Sequence, residues 1–176
     1  MKITSILMSL VLTTSAFAGS SYSAKSAKGP VLPPPSPTCG CFGPGWSVDA
    51  FGGVLFNREG KDTAGGGGVG LNYFFNRNLG LDISYGVYDT HSQTHAFDGN
   101  LVLRFPIDSL CIAPYILAGG GYDTNGTSGG QYDAGGGIDI RFSPTNCVGM
   151  FAEGAYHWAT SGGDYTGVRL GVRIPF

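Results

Sequence analysis

Charge is scarce in this chain: Lys, Arg, Asp and Glu make up 12% of its 176 residues and the formal net charge is −2. Without a basic excess there is no cationic stripe to neutralise phosphates, so nucleic acid is excluded as a partner. Long apolar runs are missing too. Spanning a bilayer as a helix takes about 17 or more residues, and nothing after the N-terminal stretch approaches that length. A Gly-X-Y period is absent despite 31 glycines, which excludes collagen. What is present is 42% hydrophobic and 12% aromatic residues, too apolar for disorder and of a length for one domain.

The N-terminus has the plan of a secretory signal peptide: Lys2, an apolar core over residues 3–12, then Ala16-Phe17-Ala18 as a small-x-small site, with cleavage expected before Gly19. Residues 1–18 are assigned to it. Residues 19–45 change to Ser, Ala and Lys, then Pro30, Pro33, Pro34, Pro35 and Pro37, then Cys39-Gly40-Cys41 and Pro44. That composition predicts a polyproline-like linker, read first as a solvated tail and second as a spacer touching peptidoglycan or a periplasmic protein.

Residues 46–176 carry repeated strand and turn signals. Strands are predicted at 46–56, 63–75, 79–89, 94–105, 112–122, 131–142, 148–158 and 165–176. Phe75, Phe105, Phe142 and Phe176 each close a strand, and the first three precede Asn76-Arg77-Asn78, Pro106-Ile107-Asp108 and Ser143-Pro144-Thr145. Segments of about ten residues bounded by turn residues suit tilted strands that cross a membrane.

Asp49, Asp82, Asp98, Arg104, Asp133, Asp139, Arg141, Glu153, Arg169 and Arg173 all fall within these strands, opposite the apolar residues of each. In the sixth, Tyr132, Ala134, Ile138, Ile140 and Phe142 share one side, and Asp133, Asp139 and Arg141 the other. Arg or Lys facing mid-bilayer costs about 2–4 kcal/mol, so turning them all outward would swamp a folding free energy of about 5–15 kcal/mol. The expectation is an all-β, eight-stranded, antiparallel up-and-down transmembrane β-barrel, apolar outside, with a lumen filled by a paired charge network. A soluble ligand-carrying barrel has the opposite polarity. An even strand count puts both termini on one side, with 57–62, 89–93, 123–130 and 159–164 as loops on the other. The closing phenylalanines form one aromatic girdle, and Phe56, Tyr132, Tyr156 and Trp158 are candidates for the second.

The last ten residues alternate Val168, Leu170, Val172, Ile174 and Phe176 against Gly167, Arg169, Gly171, Arg173 and Pro175. Arg169, Gly171, Ile174 and Phe176 resemble the C-terminal recognition strand of bacterial outer-membrane barrels, which implies reading by the outer-membrane assembly machinery. With the signal peptide and the alternating strands, residues 46–176 resemble the small outer-membrane barrel superfamily that includes the OmpA transmembrane domain, OmpX and the opacity-type proteins. The resemblance implies a structural or surface-interaction protein of the outer membrane, non-catalytic and without a cofactor, surrounded by lipid and lipopolysaccharide, with periplasmic termini.

Other constellations compete with that reading. Gly65-Gly66-Gly67-Gly68-Val69-Gly70 contains G-x-G-x-x-G but leads into strand residues rather than a helix. Such runs instead give room to inward residues such as Phe51, Phe74 and Phe151. Cys39, Cys41, Cys111 and Cys147 have the wrong spacing for a zinc knuckle, and export favours disulfides. Either the tail is stapled to the turns at Cys111 and Cys147, or those two pair with each other and Cys39 with Cys41. Glu153, His157 and Ser161 resemble, loosely, the acid, His and Ser of lipid A deacylases, although Ala159 stands where that family has its serine. His91 and His95 complete the histidines. A deacylase-type enzyme, and a narrow pore or ligand-binding barrel, are the alternatives.

Overall fold

A computed structural model describes residues 39–57, 63–89, 93–125, 127–160 and 163–176, all within the unit Pro35–Phe176. The signal peptide, linker residues 19–38, His91 and Ser161 lie outside the described residues.

Alternating side chains and turn-forming punctuation produce the strands β1 (Gly45–Asn57), β2 (Thr63–Phe74), β3 (Leu79–Tyr88), β4 (Thr94–Arg104), β5 (Ile112–Asn125), β6 (Thr127–Phe142), β7 (Val148–Ala159) and β8 (Tyr165–Pro175). Each pairs antiparallel with its sequence neighbour, and β8 returns to β1, closing a barrel. Closure leaves no edge along the sheet. Val48 pairs with Ile174 and Ala50 with Val172 in the closing register, and the Phe176 N–H donates to the Trp46 carbonyl at 3.1 Å.

The turns at one mouth are short and specified locally. Asn76 Oδ1 accepts from the N–H of Asn78 and of Leu79, at 2.8 and 2.9 Å, folding the β2–β3 turn. A single 3-10 turn, Ser143–Thr145, links β6 to β7. Arg77 pairs with Asp108 on the next turn at 2.6 Å. This end, which also carries Phe176, is the short-turn mouth.

Two expectations are corrected. Residues 123–130 are not a loop: β5 and β6 stay paired to Asn125 and Thr127. Glycines that read as breakers in sequence are held extended by the ladder on either side. Residues 39–44 are not a solvated tail: Cys39 and Phe42 are buried and pack with Ala113 at the short-turn mouth. Two disulfides, Cys39–Cys111 and Cys41–Cys147, with Cα–Cα distances of 5.2 and 5.4 Å, draw the segment in. Of the two connectivities left open by the sequence, this is the one that staples the tail to both turns.

The barrel is apolar outside and polar within. On β8, Leu170 is 56% exposed while Arg173 is 3% exposed, and on β3 Leu81 and Ile83 face out while Asp82 and Ser84 are buried. Phe75, Phe105, Phe142 and Phe176 are exposed around the short-turn mouth, joined by Trp46, whose ring lies 4.5 Å from that of Tyr73. Phe56, Tyr132 and Trp158 are exposed toward the opposite mouth, and Tyr156 packs its ring 5.0 Å from Trp158. Inside, Phe51, Phe74 and Phe151 are buried. A Cβ at Gly171 would lie 2.6 Å from the Phe151 ring and 2.8 Å from Phe51, so the missing side chain there is what lets two rings share the space.

Candidate functional site

The lumen is the candidate site, because every strand sends its polar residues there. Nearest the short-turn mouth, Phe42 and Phe74 hold Arg104. Its guanidinium lies 3.5 Å from the Phe74 ring centroid and donates to the carbonyls of Arg77 and Gly43, at 2.7 and 2.8 Å. Arg104 was expected in a network of arginine–carboxylate pairs; it is satisfied by main-chain oxygens and an aromatic face instead. The sequence offers a tail stapled to the turns at this mouth, but not that its Gly43 and Phe42 would meet Arg104.

The next layer is ionic. Arg173 makes a two-pronged contact with Asp49 at 2.8 and 2.6 Å and reaches Asp139 at 3.1 Å. Asp139 also receives Arg141 at 2.8 and 2.9 Å, and Asn72 donates to Asp49 at 2.8 Å. Paired charges with their remaining lone pairs filled are the form in which buried ions are tolerated. In mid-barrel, Arg169 joins Glu153 at 2.5 Å, Ser84 at 2.7 Å and Asp82 at 3.3 Å, and the Tyr115 hydroxyl donates to Glu153 at 2.9 Å. Tyr115 on β5 reaches Glu153 on β7 because the residue between them on β6 is Gly137.

Toward the opposite mouth the pairing fails. Asp98 accepts from Gln131 at 2.7 Å, and Asp123 accepts from the Tyr165 hydroxyl at 2.8 Å. Among the described residues, neither oxygen of Asp133 has a hydrogen-bond partner. His157 stacks on Tyr165 with ring centroids 4.4 Å apart. The expected network therefore covers Asp49, Asp82, Asp139 and Glu153, but not Asp98 or Asp133. Among the described residues, the inward carboxylates Asp49, Asp82, Asp98, Asp123, Asp133, Asp139 and Glu153 outnumber the arginines Arg104, Arg141, Arg169 and Arg173, and the surplus lies at this end. Asp98, Asn100, Asp133, Glu153 and His157 border a cavity of about 20 Å³, room for one or two waters.

Glu153 and His157 each have other neighbours. Glu153 is engaged by Arg169 and Tyr115, while His157 sits beside Tyr165, and both are buried in the lumen rather than turned to the outer wall. Of the assembly-signal positions, Arg169 and Gly171 face inward and Ile174 and Phe176 outward. His95, on the outer wall, hydrogen-bonds the Tyr85 hydroxyl at 2.7 Å.

No protein-family profile and no curated protein sequence matches this chain. Solved structures do. It is similar to the N-terminal β-barrel domain of Pseudomonas aeruginosa OprF, at 21% identity and TM-score 0.56 over 74% of this chain and 96% of that one. Neisserial surface protein A is similar at 16% identity and TM-score 0.58, over 74% of this chain and 96% of that one. The fold is that of the small outer-membrane β-barrels. Ail, the attachment invasion locus protein of Yersinia pestis, shares this barrel fold at 18% identity and TM-score 0.51, over 76% of this chain and 99% of that one. At these identities the likeness is one of fold, and the outer-membrane barrel fold hosts unrelated roles.

Proposed function

We propose that this protein is an integral protein of the bacterial outer membrane, non-catalytic and side-chain-filled, serving as a structural or surface-interaction barrel with both termini in the periplasm. The observation that carries the reading is the polarity of the wall: apolar residues such as Leu170 and Val69 outward, ion-paired Arg173, Asp49 and Asp139 inward. Lipid hydrocarbon is the solvent that suits such an exterior, and a closed barrel is the strand architecture that satisfies the backbone in it. Lipid and lipopolysaccharide are then the surroundings.

The assembly machinery would read Arg169, Gly171, Ile174 and Phe176 before closure, since Arg169 is afterwards engaged by Glu153, Ser84 and Asp82 inside the barrel. Residues 19–38 remain the candidate contact for peptidoglycan or a periplasmic protein. The deacylase alternative gains nothing from Glu153 and His157, which face the lumen, and a pore is disfavoured by the side chains that fill it.

Refolding the chain into lipopolysaccharide-containing vesicles, with bilayer conductance and lipid A or ester hydrolysis measured together, tests the proposal. A heat-modifiable, protease-resistant barrel with neither activity is expected. Steady conductance supports the pore instead, and hydrolysis lost in His157→Ala supports the enzyme. A monodisperse, detergent-free protein recovered from periplasmic extract overturns membrane residence.

A further inference from the structure

Five buried side-chain polar atoms of the described residues lack a hydrogen-bond partner, and four of them belong to residues bordering the same cavity: Asn100 Oδ1, both oxygens of Asp133 and His157 Nδ1. Chance scatter does not explain that convergence, since buried polar atoms are almost always satisfied. The sheet register creates it. Asn100, Gly119, Asp133, His157 and Tyr165 are successive cross-strand partners on β4, β5, β6, β7 and β8. Gly119 and Gly121 lie between the β4 and β6 residues, and a Cβ there would come within 2.3 Å of Asn100 Oδ1 and 2.4 Å of Asp98 Oδ1. Their absent side chains let Asp98 and Asn100 lie across β5 toward β6.

The geometry points to a divalent transition-metal site formed by Asp98, Asp133 and His157, with Asn100 alongside. One donor atom from each of the three lies within 4.8 Å of the others. Tetrahedral bonds of about 2.0–2.2 Å set donor atoms about 3.3–3.6 Å apart, so side-chain rotations that draw the three donors together by no more than about 1.5 Å close the set. Asp133 is 3% exposed and 9% is the exposure of His157, which makes the unsatisfied atoms an interior feature rather than a surface cluster. The local charge is negative: Asp98, Asp123 and Asp133 gather at this end of the lumen, and Arg169 is already engaged by Glu153 and Asp82. A cation supplies what the Asp133 carboxylate, the His157 imidazole nitrogen and the Asn100 amide oxygen lack.

Two carboxylates with a neutral imidazole favour zinc, manganese, iron or cobalt over magnesium or calcium, which prefer all-oxygen sets. The surroundings are suited to orienting the ligands: Gln131 fixes Asp98, and Tyr165 stacks flat on His157 at an interplanar angle of 12°. A cavity of about 20 Å³, with room for one or two waters, can take one ion. The proposal is independent of which membrane, or whether any membrane, surrounds the barrel.

The test uses the untagged chain refolded in detergent, stripped with chelator and titrated with Zn²⁺, with metal counted by mass spectrometry after dialysis. One equivalent per barrel is expected, unchanged by excess Mg²⁺ and Ca²⁺. Asp133→Asn and His157→Gln should each weaken it by at least about tenfold, while a variant carrying both His91→Ala and His95→Ala retains it. Should a lumen variant fail to give the heat-modifiable folded band, Co²⁺ loading of the unaltered barrel decides. A visible absorption spectrum of mixed nitrogen and oxygen ligation supports the site. No stoichiometric metal, binding unchanged in the lumen variants, binding abolished with His91 and His95, or a cobalt spectrum of water ligands alone overturns it.

Discussion

The Tyr115 hydroxyl donates to Glu153 at 2.9 Å across an intervening strand, passing over Gly137. A Cβ at Gly137 would lie 2.7 Å from the Tyr115 ring and hydroxyl and 2.3 Å from the Ala152 carbonyl. Gly137→Ala should therefore destabilise the barrel by about 1–3 kcal/mol through overpacking. Gly154→Ala on β7, whose nearest neighbour would be 4.0 Å away, should be neutral or slightly stabilising because strand glycine carries an entropic penalty of about 0.5–1 kcal/mol. Urea midpoints of the refolded variants compare the two.

The two-pronged Arg173–Asp49 contact anchors β8 to β1 at the seam where the barrel closes, and Arg173 also serves Asp139. Arg173→Met leaves Asp49 without its cation while Asp139 keeps Arg141, a loss of about 3–5 kcal/mol for a buried pair broken from one side. Asp49→Asn in the same chain should restore part of it, since the orphaned charge and not the missing contact is the larger penalty. A double-mutant cycle of unfolding free energies measures the recovery, and equal stability of the single and double variants would refute the ionic account.

Strand positions were legible because hydrocarbon outside and charge inside impose a period of two that no turn can disguise: Leu81 and Ile83 against Asp82 and Ser84 read the same in sequence as in space. That β8 pairs with β1 follows from closing an even antiparallel count, whereas the register that sets Val48 opposite Ile174 is seen only in the structure. What could not be read is which lumen residues meet. Asp98 and Asp133 lie 35 positions apart, on strands with β5 between them, and come together only because Gly119 and Gly121 carry no side chains. Glycine opposite a carboxylate was the available signal, visible once the register is known. Arg104 lies inward as its strand position predicts, but its partners are hidden for a related reason: they are the Arg77 and Gly43 carbonyls, and main-chain acceptors leave no trace in residue identity.

The paired bridges Cys39–Cys111 and Cys41–Cys147 close chain separations of 72 and 106 residues. Replacing Cys39 and Cys41 together by Ser removes both bridges and should lower the unfolding free energy by about 2–4 kcal/mol for each lost crosslink. The barrel ladder should survive, since no strand depends on the tail for pairing. Non-reducing peptide mapping checks the connectivity, and free thiols at all four positions would refute it. Phe42 should become accessible to protease in the variant, as it covers the short-turn mouth only while tethered.

The outer wall can be probed by depth. Leu170 lies midway along β8 and is exposed, while Ile107 is exposed in the turn between β4 and β5. In lipid, an outward Arg costs about 2–4 kcal/mol at the bilayer midplane and about 0–1 kcal/mol near its edge. Leu170→Arg should therefore lose several times more stability than Ile107→Arg when the barrel is unfolded from phospholipid vesicles. In water neither site would penalise charge, because both side chains already face the solvent. Equal and small losses at the two positions would mean that hydrocarbon is not what this wall meets, whereas a steep difference makes the apolar belt a membrane-facing surface by direct measurement.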